Sequence, residues 1–237
     1  MSEFNLPALP ADMNVSDNVS TDQPFTPRIQ LIHSTSKIIK EWNNADGKRP
    51  EAGEFLLGPP GQKLIGRTLN AVSLMWRDHA LQVKGNEVTL ESFDCPKPGH
   101  PAKNQDQEIF NKIIASKRSG DKKVQNRVGK DVLFWLPDYG VYAIYFFANT
   151  ATKEAGNCVI KVEGQPKFGR FCIFTSYETP PSSSGFQWWL PEIENEMIPD
   201  GTVLPPQDQV IKEIQAFVSP SPKGEGRTSE GVDGRPR

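Results

Sequence analysis

The sequence predicts a mainly β fold, a partly closed antiparallel β-barrel with two or three inserted helices. Short apolar runs recur between Gly, Pro and Asn residues, which is typical of β-architecture. Two aromatic runs flank the turn sequence Pro-Asp-Tyr-Gly, and helical spacing is confined to a few short segments. An open sandwich is the alternative architecture.

Composition places one folded domain between two polar ends. The chain has 237 residues, 36% of them hydrophobic, with a formal net charge of -2. Residues 1–24 and 219–237 are rich in small and polar residues, so we expect a disordered N-terminal arm and C-terminal tail around a domain at 25–218. A near-neutral chain does not coat nucleic acid by bulk charge, so any such site must be local.

The first part of the domain reads as strands with one short helix. PRIQLIHS is a strand candidate, and SKIIKEWNN after it is helix-like. Gly66 marks a bulge or a close approach within a long or bent strand pair at 63–83. The strand candidates are 27–34, 54–58, 63–83 and 87–94.

Two longer helices are predicted. Residues 105–118 place Ile109, Phe110, Ile113 and Ile114 at helical spacing. A last helix begins after Pro205 and Pro206 and packs one apolar face, formed by Val210, Ile211, Ile214, Phe217 and Val218.

An aromatic hairpin is the clearest local prediction. The runs 131–136 and 141–148 are joined by residues 137–140. The second run is apolar on both faces, so it is either buried on both sides, beneath a helix such as 105–118, or open on one side as a stacking platform. Three further strand candidates are CVIKVEG, KFGRFCIFTSYET and FQWWLPEIE, and we expect about eight strands in the folded domain.

A basic segment at 111–130 runs directly into this hairpin. It carries seven cations against Asp121, and its part after Gly120 has the composition of a flexible loop. Cations neutralise phosphates and aromatic faces stack on unpaired bases, so the combination favours a single-stranded nucleic-acid binder. A solvated connector beside a buried hairpin is the alternative.

The flanks of the chain are acidic. Residues 1–25 contain four acids and no Lys or Arg, and residues 186–215 carry six acids against Lys212. Such segments either occupy a positive groove without ligand, recruit a basic partner, or simply balance the surface charge.

Cations and aromatic residues on the β-runs and in the basic segment form the predicted binding set. Trp76 and Trp135 are candidates for base stacking, and neighbouring cations would follow the sugar-phosphate backbone. The predicted nucleic-acid-binding residues are Lys63, Arg67, Trp76, Arg77, Lys117, Arg118, Lys122, Lys123, Arg127, Lys130, Trp135 and Tyr142.

Catalytic and metal-binding patterns are weak. No nucleophile elbow, zinc-protease motif or dinucleotide fingerprint is present, and the three histidines lie in separate segments. A zinc site from Cys95, His100, Cys158 and Cys172 can be drawn, but its spacing matches no established pattern. We expect free thiols, no metal ion, no cofactor and no enzymatic activity.

The order of PRIQLIHSTSKIIKE, PEAGEFLLG, a Gly-containing strand and DVLFWLPDYGVYAIYFFANT resembles a group of bacteriophage-encoded proteins associated with DNA replication or recombination. The resemblance covers roughly residues 25–218. It implies an OB-like fold and single-stranded DNA binding. No functional residue of that group can be matched to a position of this chain.

The sequence thus predicts a non-catalytic, sequence-independent single-stranded DNA-binding protein of a phage or phage-like replicon. A β-rich virion or assembly protein is the alternative, and a nuclease is a remoter one. Expected partners are single-stranded DNA or RNA, further copies of the chain, and replication or recombination proteins. With no leader or apolar span in the sequence, we expect no membrane partner and a location in the host-cell cytoplasm.

Overall fold

Strands dominate the structure. The computed structural model describes residues 26–42, 48–58, 63–85, 87–93, 105–120, 124–163, 165–182 and 187–218. Strands make up 47% of them and helical residues 25%, which confirms the mainly β class. The predicted arm at 1–24 and tail at 219–237 lie outside the described residues.

Eleven strands are described, rather than the eight expected from the sequence. They are β1 Arg28–Leu31, β2 Phe55–Leu57, β3 Lys63–Gly66, β4 Thr68–Lys84, β5 Glu87–Phe93, β6 Gln125–Leu136, β7 Val141–Ala148, β8 Ile160–Val162, β9 Gln165–Lys167, β10 Phe171–Glu178 and β11 Trp189–Glu196. The helices are α1 Lys37–Glu41, α2 Gln105–Ser119, α3 Thr152–Ala155 and α4 Gln207–Val218, and 3-10 turns span Asn149–Ala151 and Gly156–Cys158.

Nine of these strands form one curled sheet in the order β11-β10-β4-β6-β7-β1-β2-β3, with β5 on the far half of β4. Neighbours are antiparallel except β1 and β7. The sheet is a curled, open half-barrel. The prediction of a partly closed barrel is therefore wrong in this respect. At one corner the backbone N–H of Trp189 lies 3.4 Å from His33 Nδ1, which links β11 to the loop after β1.

The predicted hairpin is confirmed, but its first strand is longer than expected. β6 begins at Gln125, so the flexible-loop prediction is wrong for residues 125–130. These residues pair with the second half of β4, and Gly129 also pairs with Ala148 of β7. Backbone hydrogen bonds to two neighbouring strands hold this segment in the sheet despite its polar composition.

Both faces of β7 are covered. On the inner face, Tyr145 and Phe147 join Phe55, Phe134 and Phe174 in an aromatic core. The outer face is covered by α4, whose apolar side packs in one cluster with residues of β4, β6 and β7. The predicted α2 forms, but it packs Phe110 and Ile113 against Ala80 of β4 instead of covering β7.

Candidate nucleic-acid interface

The register of β4 and β6 divides the predicted residues between the two faces of the sheet. Trp76 lies opposite Val132, whose side chain faces the inner core. Trp135 is three residues farther along β6, and successive side chains alternate between faces, so its ring lies on the outer face. The inner face therefore receives Trp76 and Lys130, and the outer face receives Arg77, Arg127, Trp135 and Tyr142.

Four inner-face residues form a mixed group that we call the Trp76 patch: Trp76, Asp78, Lys130 and Phe168. Trp76 is half-buried, and the Lys130 ammonium lies over its ring, 4.5 Å from the centroid. The same ammonium is 2.6 Å from a carboxylate oxygen of Asp78. Phe168 meets the indole edge-on, with ring centroids 5.6 Å apart. A cation and an aromatic edge thus frame the indole.

Elements on two sides of the Trp76 patch carry further cations. On one side, Lys117 at the end of α2 donates to Asn149 Oδ1 over 2.9 Å. Asn149 follows Ala148, which pairs with Gly129 beside Lys130. Arg118 is exposed on the same last turn of α2.

On the other side stands the β8–β9 hairpin, which leads through Phe168 into β10. Lys161 and Lys167 are exposed, and Arg170 is half-buried. The sequence-based prediction omitted these three cations and Phe168. The run Lys-Phe-Gly-Arg-Phe was a usable signal, since it interleaves cations with aromatic residues.

Arg77 lies on the outer face and is 7% exposed. Its guanidinium is 3.3 Å from Asp131 Oδ2 and donates to the carbonyl of Phe217 at the end of α4. The rings of Phe93 and Phe217 enclose it at 3.8 and 4.5 Å. Its charge is compensated inside the protein, so Arg77 does not belong to the inner surface.

Asp131 and His79 continue this buried network. His79 Nδ1 lies 2.9 Å from Asp131 Oδ1, and Nε2 lies 3.0 Å from Glu91 Oε1. Only an imidazolium donates from both nitrogens. Burial by itself lowers the pKa of His79, but the charge and hydrogen bond of Asp131 and the hydrogen bond to Glu91 outweigh it, so the pKa is raised above 6.5. With 1% of the residue exposed and both nitrogens bonded to carboxylates, His79 links β4 to β5 and β6.

Trp135 and Tyr142 belong to the outer core. The Trp135 indole donates to the carbonyl of Val203 over 2.8 Å, and its ring meets Tyr142 edge-on at 5.0 Å. Burial, with the charges of Glu213 and Asp208, raises the pKa of Tyr142 to about 12. Trp135 is 8% exposed, so it offers no face to a base.

Lys63 and Arg67 are exposed, but they lie at the other end of β4. The Lys63 ammonium is 4.5 Å from the ring centroid of Tyr139, and the Arg67 guanidinium is 4.8 Å from that of Trp189. Arg67 directly precedes β4, whereas Trp76 is its ninth residue, so nine strand rises put roughly 30 Å of strand between the two positions. These cations do not share one surface with the Trp76 patch.

The remaining predicted residues are dispersed. Arg127 is half-buried on the outer face and donates to Gln125 Oε1 over 3.3 Å. Lys122 and Lys123 lie outside the described residues. Of the four residues considered as zinc ligands, Cys158 and Cys172 are buried thiols. Cys95 and His100 are not among the described residues. Within the described part of the chain, no three His, Cys, Asp or Glu side chains are grouped as metal ligands.

Comparisons with protein-family models, curated proteins and solved structures return no significant match for this chain. In the described ranges, no helix has the length and apolar character needed to cross a membrane.

Proposed function

We propose that this protein is a non-catalytic single-stranded DNA-binding protein with an OB-like half-barrel. The observation that carries the proposal is the Trp76 patch, a half-buried indole beneath a cation, with further cations on two sides. Proteins that bind single strands without sequence preference commonly do so through aromatic side chains that stack on bases and neighbouring cations that contact phosphates. The resemblance to phage proteins of replication or recombination favours DNA as the strand and a phage or phage-like replicon as the setting.

In this proposal the strand lies across the inner face between the end of α2 and the β8–β9 hairpin. One base stacks on Trp76, and phosphates contact Lys117 and Lys130 on one side and Lys167 on the other. The contacts are to π-faces and phosphates, so affinity depends on salt and little on base sequence. One base stack contributes about 1–3 kcal/mol.

Titration of a labelled poly-dT oligonucleotide at about 50 mM and about 200 mM salt tests the proposal. Trp76→Ala should weaken binding roughly 5- to 150-fold, because it removes one stack. Lys167→Ala should weaken binding and flatten the salt dependence by about 0.7 in log-log slope. Lys212→Ala, at an exposed position of α4 on the outer face, is the matched control and should change neither. Absence of binding by the wild-type protein at about 50 mM salt would refute the proposal.

A further inference from the structure

Lys130 serves two partners at once. Its ammonium lies 4.5 Å from the ring centroid of Trp76 and 2.6 Å from Asp78 Oδ1. Trp76 packs in part against the inner core, and Lys130 of the neighbouring strand β6 covers its ring. A base that stacks on that ring must therefore replace the ammonium.

The register of the sheet fixes this arrangement. Asp78 and Lys130 are direct cross-strand partners in β4 and β6, and Trp76 lies two residues before Asp78 on the same face. The three side chains are thus neighbours by backbone pairing alone. About 30% of each ion-pair side chain is exposed, 27% for Lys130 and 30% for Asp78, so solvent and ligand reach the pair.

We infer that Asp78 competes with a phosphate of the bound strand for Lys130. Without ligand, its carboxylate holds Lys130 over Trp76. When the strand binds, a phosphate replaces the carboxylate as the partner of Lys130, the ammonium leaves the indole, and a base stacks in its place. This inference rests on the proposed function. It adds that Asp78 lowers the affinity for single-stranded DNA below the value that the cations and the indole of the patch would give by themselves.

The decisive variant is Asp78→Asn, which keeps the size of the side chain and removes its charge. A part-exposed ion pair contributes little, so we expect binding of poly-dT to become about two- to fivefold tighter. Acrylamide quenching of tryptophan fluorescence in the free protein should also increase, since Lys130 is no longer held over Trp76. Glu192→Gln is the matched control, because it removes one negative charge at an exposed position of β11. It should leave both readings unchanged.

A double-mutant cycle identifies the partner of Asp78. In the Lys130→Met background, Asp78→Asn should no longer tighten binding, because the competition acts through Lys130. Asp78→Ser replaces Asp78→Asn if the latter does not fold. Tightening that persists without Lys130, or that Glu192→Gln reproduces, overturns the inference, as does an unchanged or weaker affinity of the Asp78 variant. Failure of the wild-type protein to bind poly-dT is a different outcome, which refutes the proposed function itself.

Discussion

Asp131 is a fully buried carboxylate in contact with three cationic side chains. His79 and Arg77 contact its two oxygens, and Arg28 Nη1 lies 3.7 Å from Oδ1. Burial by itself raises the pKa of Asp131, but the charges of His79, Arg28 and Arg77 hold it well below the ordinary value of 3.8. The carboxylate therefore compensates cations that would otherwise be buried without a counter-charge.

Asp131→Asn should lower the free energy of unfolding by about 3–5 kcal/mol, because it leaves Arg77 and His79 buried without a full counter-charge. Urea unfolding followed by far-UV circular dichroism measures the change. Asp138→Asn is the matched control, at an exposed turn position with one hydrogen bond to Asn70, and we expect it to cost less than about 1 kcal/mol. Equal costs for the two variants would mean that the network does not stabilise the fold.

Gly53 supports the corner where β11 meets the loop after β1. Its φ is +88°, and a Cβ at this position would lie 2.5 Å from Trp189 Cε3. Gly53→Ala should therefore cost about 1–2 kcal/mol for the left-handed backbone and a further 1–3 kcal/mol for displacement of the indole. Gly85→Ala is the control, since Gly85 has φ +64° and no atom within 4 Å of an added Cβ. Urea unfolding of both variants isolates the Trp189 contact, and equal losses would contradict it.

Sequence reasoning did not divide Trp76 and Arg77 between the two faces of β4. Trp76 and Arg77 are adjacent in the chain, yet one faces the inner surface and the other the buried outer network. Alternation along a strand predicts that they point apart, but it does not say which side is open. Asp131 is 54 residues from Arg77 in sequence, so their pairing appears only with the register of β4 and β6.

At the scale of elements, α4 is held by its last turn as well as by its apolar face. Phe217 packs in the outer core, its ring lies 4.5 Å from the Arg77 guanidinium, and its carbonyl accepts a hydrogen bond from Arg77. The carbonyl is one of those that a helix C-terminus leaves without an intrahelical partner. Arg77 thus joins the end of α4 to Asp131 in β6.

Phe217→Ala should lower the free energy of unfolding by about 3–5 kcal/mol, because it empties a core position and uncovers one face of Arg77. Chemical unfolding curves give the value. Lys212→Ala changes an exposed residue of the same helix and should stay within about 0.5 kcal/mol of wild type. A small loss for Phe217→Ala would mean that α4 contributes little to the stability of the sheet.

Elements with a strong local pattern were predictable from the sequence. Helix α4 shows apolar positions at helical spacing, and the β6–β7 turn carries Pro137 and Gly140. The start of β6 was missed because Gln125–Lys130 has no alternation of its own and is set by its partner β4. Which helix covers β7 was likewise decided by long-range packing, and not by the helices themselves.

At the scale of the whole molecule, the mainly β class follows from composition and punctuation, whereas the extent of curling does not. Closure of a sheet depends on strand tilt and register shift summed over all pairs, which no local pattern reports. Here the sheet ends with β3 at one edge and β11 at the other. Trp189 of β11 contacts His33 in the loop after β1. The resulting half-barrel leaves the Trp76 patch on its inner face.

The buried network should also set how the stability of the molecule depends on pH. His79 has a folded-state pKa above the unfolded value of 6.5, so its stabilisation is complete below pH 6.5 and is lost as pH rises through the folded-state pKa. Asp131 acts in the opposite direction, and its stabilisation is present above pH 3.8 and lost as pH falls below it. The charged groups around His79 come from four strands and are Arg28, Arg77, Glu91 and Asp131.

We therefore expect the free energy of unfolding to decline between pH 6.5 and about pH 8.5, below the range in which lysines and tyrosines titrate. Urea unfolding at several pH values measures the decline. In His79→Gln the side chain does not titrate, so the variant should be less stable at pH 6.5 and its curve should be flatter over this range. Parallel curves for the two proteins would show that His79 is not the titrating group. A wild-type stability that rises with pH would contradict the imidazolium bridge between Asp131 and Glu91, because a neutral ring cannot donate to both carboxylates.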